Sequence, residues 1–274
     1  MELFYLIVTY VLVGLFGLCV GSFLNVVIYR VPNGMSIAKP NSHCPNCKYE
    51  LRWYDNIPIL SYLILGGKCR SCKTHISFRY TAVEIANTLL WLLCTLLFWE
   101  KSIPLAVIYM LTLSVFICVF FIDLEHKIVF DRFQIILLIL AICSIFFDKE
   151  YGWISHIIGG VSGFAVFYLI SWLFEKMSGK EGLGGGDVKL TGAVGLLLGW
   201  ERLLLALLIA TIPAAVIMLI VNRIRSKSAE ENEEMTDEQE KGQYPFAPFL
   251  VFGFSVAMFF GKTIIDWYLS ILGL

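Results

Sequence analysis

Residues 103–123 read IPLAVIYMLTLSVFICVFFID, twenty residues without a charge closed by Asp123. About 30 Å of hydrocarbon takes roughly 20 residues of α-helix to cross. The run is continuously apolar rather than alternating, which favours a helix over a strand. In lipid no water satisfies the backbone, so a spanning segment must be a helix or part of a closed barrel. This stretch therefore predicts a membrane-spanning helix that ends on a carboxylate.

Working outward, similar runs occur at about 4–28, 80–99, 133–147, 154–174, 187–200, 202–221 and 247–272. With 103–122 they make about eight transmembrane helices, or seven, because 133–147 and 187–200 are short. Hydrophobic residues make up 58% of the 274 and mean hydropathy is +0.76, which excludes an ordinary soluble domain. The expected class is an all-α polytopic membrane protein. The net charge of −1 is near neutral; membrane lipid is an expected partner and nucleic acid is not. Oligomeric state is not legible.

Leu3–Ile28 lacks the basic leading region and small-residue cleavage site of a secretion signal, so it is expected to stay as the first helix. Residues 29–80 follow it with Arg30, Lys39, Lys48, Arg52, Lys68, Arg70, Lys73 and Arg79. The positive-inside rule places that loop in the cytoplasm and the N-terminus outside. Alternation then puts 123–132, 175–186 and 222–246 inside and 148–153 outside. Two regions emerge: 1–80, a first helix with a polar loop, and 81–274, a helical bundle. An acidic run over 228–241 inside the 222–246 loop reads as a solvated linker.

The first loop holds Cys44-Pro45-Asn46-Cys47 and Cys69-Arg70-Ser71-Cys72, two CxxC pairs separated by 21 residues. Each such knuckle supplies two thiolates from one tight turn, and four suit tetrahedral zinc. A cytoplasmic location disfavours disulfides. The loop has too few large apolar residues for its own core, so a structural metal clip gives it a reason to be ordered. Cys44, Cys47, Cys69 and Cys72 are the expected zinc ligands. Cys19, Cys94, Cys118 and Cys143 stand singly in apolar helices and read as packing. His43 sits beside Cys44, but four cysteines suffice without it. His75, His126 and His156 have no partner at metal-binding spacing and read as boundary residues.

A second carboxylate, Asp187, lies in Gly184-Gly185-Gly186-Asp187-Val188-Lys189. Ionisable groups at membrane depth are costly and mark functional sites, and the topology brings Asp123 and Asp187 to the same side. Two adjacent carboxyls can hydrolyse a peptide: the ionised one takes a proton from water and the protonated one polarises the scissile carbonyl. Glycines at 184 and 186 would let an extended substrate backbone come close. The plainer alternative makes both aspartates helix caps, and Asp187 suits an N-cap. For Asp123 that reading is weaker, since a carboxylate at a helix C-terminus opposes the dipole. Asp131 competes with Asp123 but precedes the next helix as a plausible cap. Lys189, two residues beyond Asp187, would face away from it.

Taken together, the chain resembles the bacterial type IV prepilin peptidases, members of the GxGD aspartyl proteases. The matching pieces are Gly21-Ser22-Phe23-Leu24-Asn25 through Arg30 with Pro32, Cys44-Pro45-x-Cys47, Trp53-Tyr54-Asp55-Asn56-Ile57-Pro58, Leu60-Ser61-Tyr62, and Gly67-Lys68-Cys69-Arg70 with Cys72. Ile76-Ser77, Arg79-Tyr80 with Glu84, Ile122-Asp123, and Gly184-x-Gly186-Asp187-x-Lys189 complete an ordered series over about 21–190. The resemblance implies that Asp123 and Asp187 are the catalytic pair. The substrate would be a prepilin or pseudopilin, cut on the cytoplasmic side after a short basic leader. The new N-terminus would then be methylated from S-adenosylmethionine, a function associated with the four-cysteine loop. Two departures are Val129-Phe130 where Leu-Pro often precedes the aspartate, and Thr81 where proline often stands. No glycine-rich motif marks a methyl-donor site. The rival class is an ion-coupled or metal-responsive transporter using the two aspartates as proton carriers. Whether the client serves a pilus, a secretion pseudopilus or a DNA-uptake filament is not legible.

Overall fold

The computed structural model describes residues 2–179, 184–231 and 245–273. Nine α-helices occur among them: α1 Glu2–Arg30, α2 Leu60–Ile64, α3 Arg79–Phe98, α4 Ile103–His126, α5 Asp131–Phe147, α6 Trp153–Ser178, α7 Gly185–Leu198, α8 Trp200–Glu231 and α9 Ala247–Leu272. Only isolated bridges, no extended strands, accompany them among the described residues. Six helices are long and apolar enough to cross a membrane: Leu3–Arg30, Arg79–Phe98, Ile103–His126, Trp153–Met177, Trp200–Val221 and Ala247–Leu272. The expected all-helical membrane class stands. The count of eight is not reached by this measure, because α5 has 17 residues and α7 has 14. Of the 222–246 linker, residues 232–244 lie outside the described residues.

The chain forms two compact units, Met1–Cys118 and Val119–Leu274. In the first, α1 packs on α3 through glycines. A Cβ on Gly21 would stand 2.7 Å from Glu84 Cα, and one on Gly17 would stand 3.1 Å from Thr88 Cα. Small residues let membrane helices approach closely, the usual source of their packing energy. A polar thread crosses the same contact: Asn87 Nδ2 donates to Gly17 O at 2.8 Å, and Trp91 Nε1 donates to Ser114 Oγ at 3.0 Å. Ser114 Oγ donates in turn to Asn87 Oδ1 at 2.7 Å. Such bonds average about 0.6 kcal/mol each in membrane proteins, so the glycine contact dominates.

Between α1 and α3 the loop folds as two knuckles of the same shape. Cys44 N–H donates to Tyr49 O at 2.9 Å, and Cys69 N–H donates to Thr74 O at 2.9 Å. Lys48 and Lys73 take the same left-handed φ of 59° in the two knuckles. That conformation is costly for a lysine and persists only where the surroundings impose it. Asp55, in the short 3-10 turn Trp53–Asn56, receives Arg70 Nε at 2.7 Å and ties the turn to the second knuckle.

In the second unit the short α7 is the central element. It packs against α5, α6, α8 and α9, and Val188, Leu190, Val194, Leu197 and Leu198 are buried. Gly159 of α6 and Gly195 of α7 meet backbone to backbone. Val161, Tyr168 and Leu169 of α6 and Leu204, Leu208 and Ile212 of α8 are exposed. Pro213 inside α8 is tolerated where lipid-phase neighbours re-satisfy the backbone. Two polar clusters lie at opposite ends of α7, separated by about 18 Å at 1.5 Å per residue. One contains Asp187. The other joins Asp148, Arg202 and His156: Arg202 donates to Asp148 Oδ2 at 2.5 Å, and His156 Nε2 lies 3.8 Å from that oxygen. His156 is fully buried, so the expectation of a boundary residue is corrected. It stands at the start of α6, with Nδ1 3.0 Å from Leu196 O.

Candidate active site and metal centre

Helix α4 continues one turn past Asp123 before ending at His126. The aspartate is therefore inside the helix rather than at its end, and is only 5% exposed. Its Oδ2 accepts the N–H of Ala247, the first residue of α9, at 3.1 Å. A helix N-terminus has unpaired N–H groups that seek an acceptor, and here a carboxylate from another helix supplies it.

Asp187 is the third residue of α7, not its cap. Gly184 is the N-cap, with φ −56° and ψ 133°, and no side chain caps the helix. Glycine is acceptable there because the helix gains only a few tenths of a kcal/mol from Ser, Asp or Asn instead. The cap alternative for Asp187 is thus not what the fold realises. The carboxyl groups of Asp123 and Asp187 lie near enough for their charges to interact.

The start of α7 is held by its neighbours. Gln134 of α5 donates Nε2 to Gly186 O at 3.0 Å. A Cβ on Gly186 would lie 2.9 Å from Val129 Cβ, so the missing side chain at 186 serves packing. A Cβ on Gly184 would stand 3.6 Å from Asp187 Oδ2, and beside Gly185 there is open space. Lys189 faces away from Asp187, as expected, and its Nζ meets Asp131 Oδ1 at 2.7 Å. Both side chains of that pair are more than half exposed. It contributes at most about 1 kcal/mol, and Asp131 opens α5 at the surface rather than joining the buried carboxyl.

The four cysteines of the knuckles come together, with every pair of sulfurs within 4.8 Å. Cys44 Sγ is 3.9 Å from Cys72 Sγ, and Cys47 Sγ is 3.9 Å from Cys69 Sγ. Metal–sulfur bonds of about 2.3 Å in a tetrahedron give edges near 3.8 Å, so the donor set fits a tetrahedral ion. All four are free thiols. The Thr74 hydroxyl, 3.3 Å from Cys72 Sγ, holds that thiol down to about 6 and favours the ligating thiolate. His43 turns its Nδ1 to Asn41 O at 3.1 Å instead of joining the cluster.

Two participants were not singled out from the sequence. Ala247 acts through its backbone, and only Pro245 and Pro248 around it signalled a helix start there. Gln134 lies four residues into α5 amid apolar neighbours, a buried amide whose partner no spacing rule could name.

Comparison with known proteins gives the family. Residues 15–98 match the bacterial peptidase A24 N-terminal domain, and residues 110–219 match the type IV leader peptidase family. The prepilin leader peptidase/N-methyltransferase of Pseudomonas aeruginosa is 33% identical over 94% of this chain and 93% of its own length. The protein of the same name from Legionella pneumophila is 33% identical over 95% and 94%. That of Myxococcus xanthus is 36% identical over 81% of this chain and 66% of its own length. No solved structure matches. Helices long and apolar enough to cross a membrane, together with the matches to named leader peptidases, define a polytopic membrane enzyme. The chain belongs to the type IV leader peptidase family.

Proposed function

We propose that the chain removes the short basic leader of a prepilin or pseudopilin at Asp123 and Asp187, and methylates the new N-terminal amine. What supports the peptidase half is that Asp123 and Asp187 belong to one compact unit and lie near enough for their charges to interact, with Asp187 at the glycine-flanked start of α7. One carboxylate takes a proton from the attacking water while the other, protonated, donates to the scissile carbonyl. The pair titrates as a unit, so the proton belongs to neither residue alone. Gln134 and Val129 fix the start of α7, and Ala247 fixes Asp123, which keeps both groups in register with the bond to be cut. The substrate backbone runs past Gly184 and Gly185, where no side chain obstructs it.

The transferase half is assigned to the region 1–80, with Cys44, Cys47, Cys69 and Cys72 holding a structural zinc. When bound, S-adenosylmethionine supplies an electrophilic methyl group: the amine nitrogen bonds to it as the carbon–sulfur bond breaks, and the amine proton passes to water. The zinc knuckles order the loop and do not touch that reaction. The region 81–274 carries the peptidase site. We place both on the cytoplasmic side of a bacterial cytoplasmic membrane, with the N-terminus outside and lipid covering the exposed apolar faces. Nothing in the fold favours the ion-coupled transporter.

Purified enzyme incubated with a prepilin and S-adenosylmethionine tests this reading by mass spectrometry of the product. The expected product lacks the leader and carries one added methylene on its new N-terminus. An intact precursor would remove the peptidase assignment, and a processed but unmethylated chain would remove the transferase assignment.

A further inference from the structure

Residues 29–80 read as a polar loop, yet part of that loop lies alongside the membrane-spanning helices rather than beyond them. Ile59 N–H donates to Glu84 Oε2 at 2.8 Å. Glu84 lies five residues inside α3, about 7–8 Å from the helix start at 1.5 Å per residue. It also meets Gly21, which lies nine residues before the end of α1, or about 13–14 Å. Even with its side chain leaning back towards the start of α3, the carboxylate holds Ile59 beside the first turns of that helix. Ile59 takes φ 60° and ψ −50° there. Such a backbone is costly for a β-branched residue and persists only where the surroundings impose it.

Helix α2 starts at that point. Leu60, Leu63 and Ile64 stand at i, i+3 and i+4 and so share one face. That face is open: Leu60 is exposed, Leu63 is 67% exposed and Ile64 is 71% exposed. Tyr62 packs edge-on against Phe78, the residue before α3, with ring centroids 6.1 Å apart. Phe78 is exposed as well. Four large apolar side chains gathered on a loop are out of place in water, and such patches mark interaction surfaces. This one is continuous with the start of α3, a helix long and apolar enough to cross a membrane. Lys68 and Arg79 flank it along the chain, and cationic side chains at a membrane boundary are drawn to phosphate headgroups.

We propose that Leu60, Leu63, Ile64 and Phe78 enter the lipid of the bilayer interface and anchor the four-cysteine loop to the membrane. The occupant of the patch is lipid, with acyl chains against the apolar face of α2. Interfacial helices lie about 5–10 Å into the boundary between headgroups and acyl chains, the depth at which Glu84 holds Ile59. Cys69 follows Ile64 by five residues, so the anchor sets how far the second knuckle stands from the membrane. The anchor needs only the membrane-spanning class and is independent of the peptidase and transferase assignments.

The test places the full chain in phosphatidylcholine nanodiscs in which part of the lipid carries a diazirine near the glycerol end of one acyl chain. Illumination followed by peptide mapping in a mass spectrometer shows which residues touch lipid. Wild type is expected to carry lipid adducts on residues 60–64 and on Phe78, as on α1 and α3, and none on the knuckle residues 44–48 and 69–73. Adducts on α1 and α3 with none on 60–64 would overturn the anchor. Equal labelling of the knuckles would also overturn it, because lipid would then be meeting the whole loop indiscriminately. Leu63→Glu with Ile64→Glu, both at exposed positions, is expected to lose the adducts over 60–64 with an unchanged melt. Adducts retained in that folded variant would show that these side chains do not drive the insertion. Benzoylphenylalanine in place of Leu63 separates lipid from protein. A cross-link to phospholipid is expected, and one to a second copy of the chain would assign the patch to that contact and overturn the proposal.

Discussion

Gly186 and Asp131 separate what positions the site from what merely lies near it. A Cβ at 186 would press against Val129 at 2.9 Å with backbone oxygen 3.3 Å away, so the start of α7 must shift. A displacement on the order of 1 Å in a catalytic array costs about 100-fold in rate. Gly186→Ala is therefore expected to lower kcat for leader removal by about that factor, and a wild-type kcat would contradict the positioning role. Asp131→Asn removes only an exposed ion pair with Lys189. Cleavage should stay within about twofold; a loss comparable to that of an active-site variant would make Asp131 the true partner. Asp123, Asp187 and the four cysteines were legible because burying carboxylates is expensive and CxxC spacing is specific. Ala247 and Gln134 were not, because one acts through a backbone N–H and the other by a long-range contact between helices. His156 was misread at this scale: a lone histidine near a helix start looks like a boundary residue until Asp148 and Arg202 are seen beside it.

At the scale of elements, α7 is the piece on which the site depends. Only 14 residues long, it takes its stability from neighbours rather than from its glycine-rich sequence. Gly195 packs against Gly159 of α6 with no space for a Cβ. Gly195→Val has no room there, and overpacking of this kind costs about 1–3 kcal/mol. The expected result is a melting temperature lowered by several degrees, roughly 2–4 °C per kcal/mol for a chain of this size; an unchanged melt would show that the contact is slack. The knuckles form a second element with a separable fate. Chelation, or Cys69→Ser, should release the metal, measured by elemental analysis, and open residues 43–76 to proteases. Metal content at wild-type level in Cys69→Ser would reject the four-thiolate site. The helical segments were legible from continuous apolarity, since each spans or nearly spans the hydrocarbon. Their caps were less so. Asp187 suited an N-cap by residue type, yet Gly184 takes that place and Asp187 is the third residue of the helix.

For the whole molecule, class and family were legible in composition and in the ordered motifs, while the number of crossings was not. Among the described residues six helices meet the length and apolarity of a span, and α5 and α7 fall short. A short helix inside a bundle needs no full apolar length, since protein rather than lipid surrounds it, and hydropathy alone does not distinguish the two. The sidedness expected from the basic loop residues is open to a direct check. Lys127→Cys in whole cells should resist a membrane-impermeant maleimide, whereas Lys149→Cys should react; the reverse pattern would invert the topology. Both residues lie in short connections on opposite sides in the expected arrangement.

The most direct test of the central claim is the cleavage rate of a prepilin by reconstituted enzyme carrying Asp123→Asn or Asp187→Asn. Each amide keeps the shape of the side chain but cannot exchange the proton that hydrolysis requires. Loss of a positioned acid or base costs about 100-fold to 10,000-fold, so each variant is expected to leave the precursor essentially uncut, while remaining folded by its melt. Cleavage at the wild-type rate by either variant would show that the two carboxyls do not act as a pair.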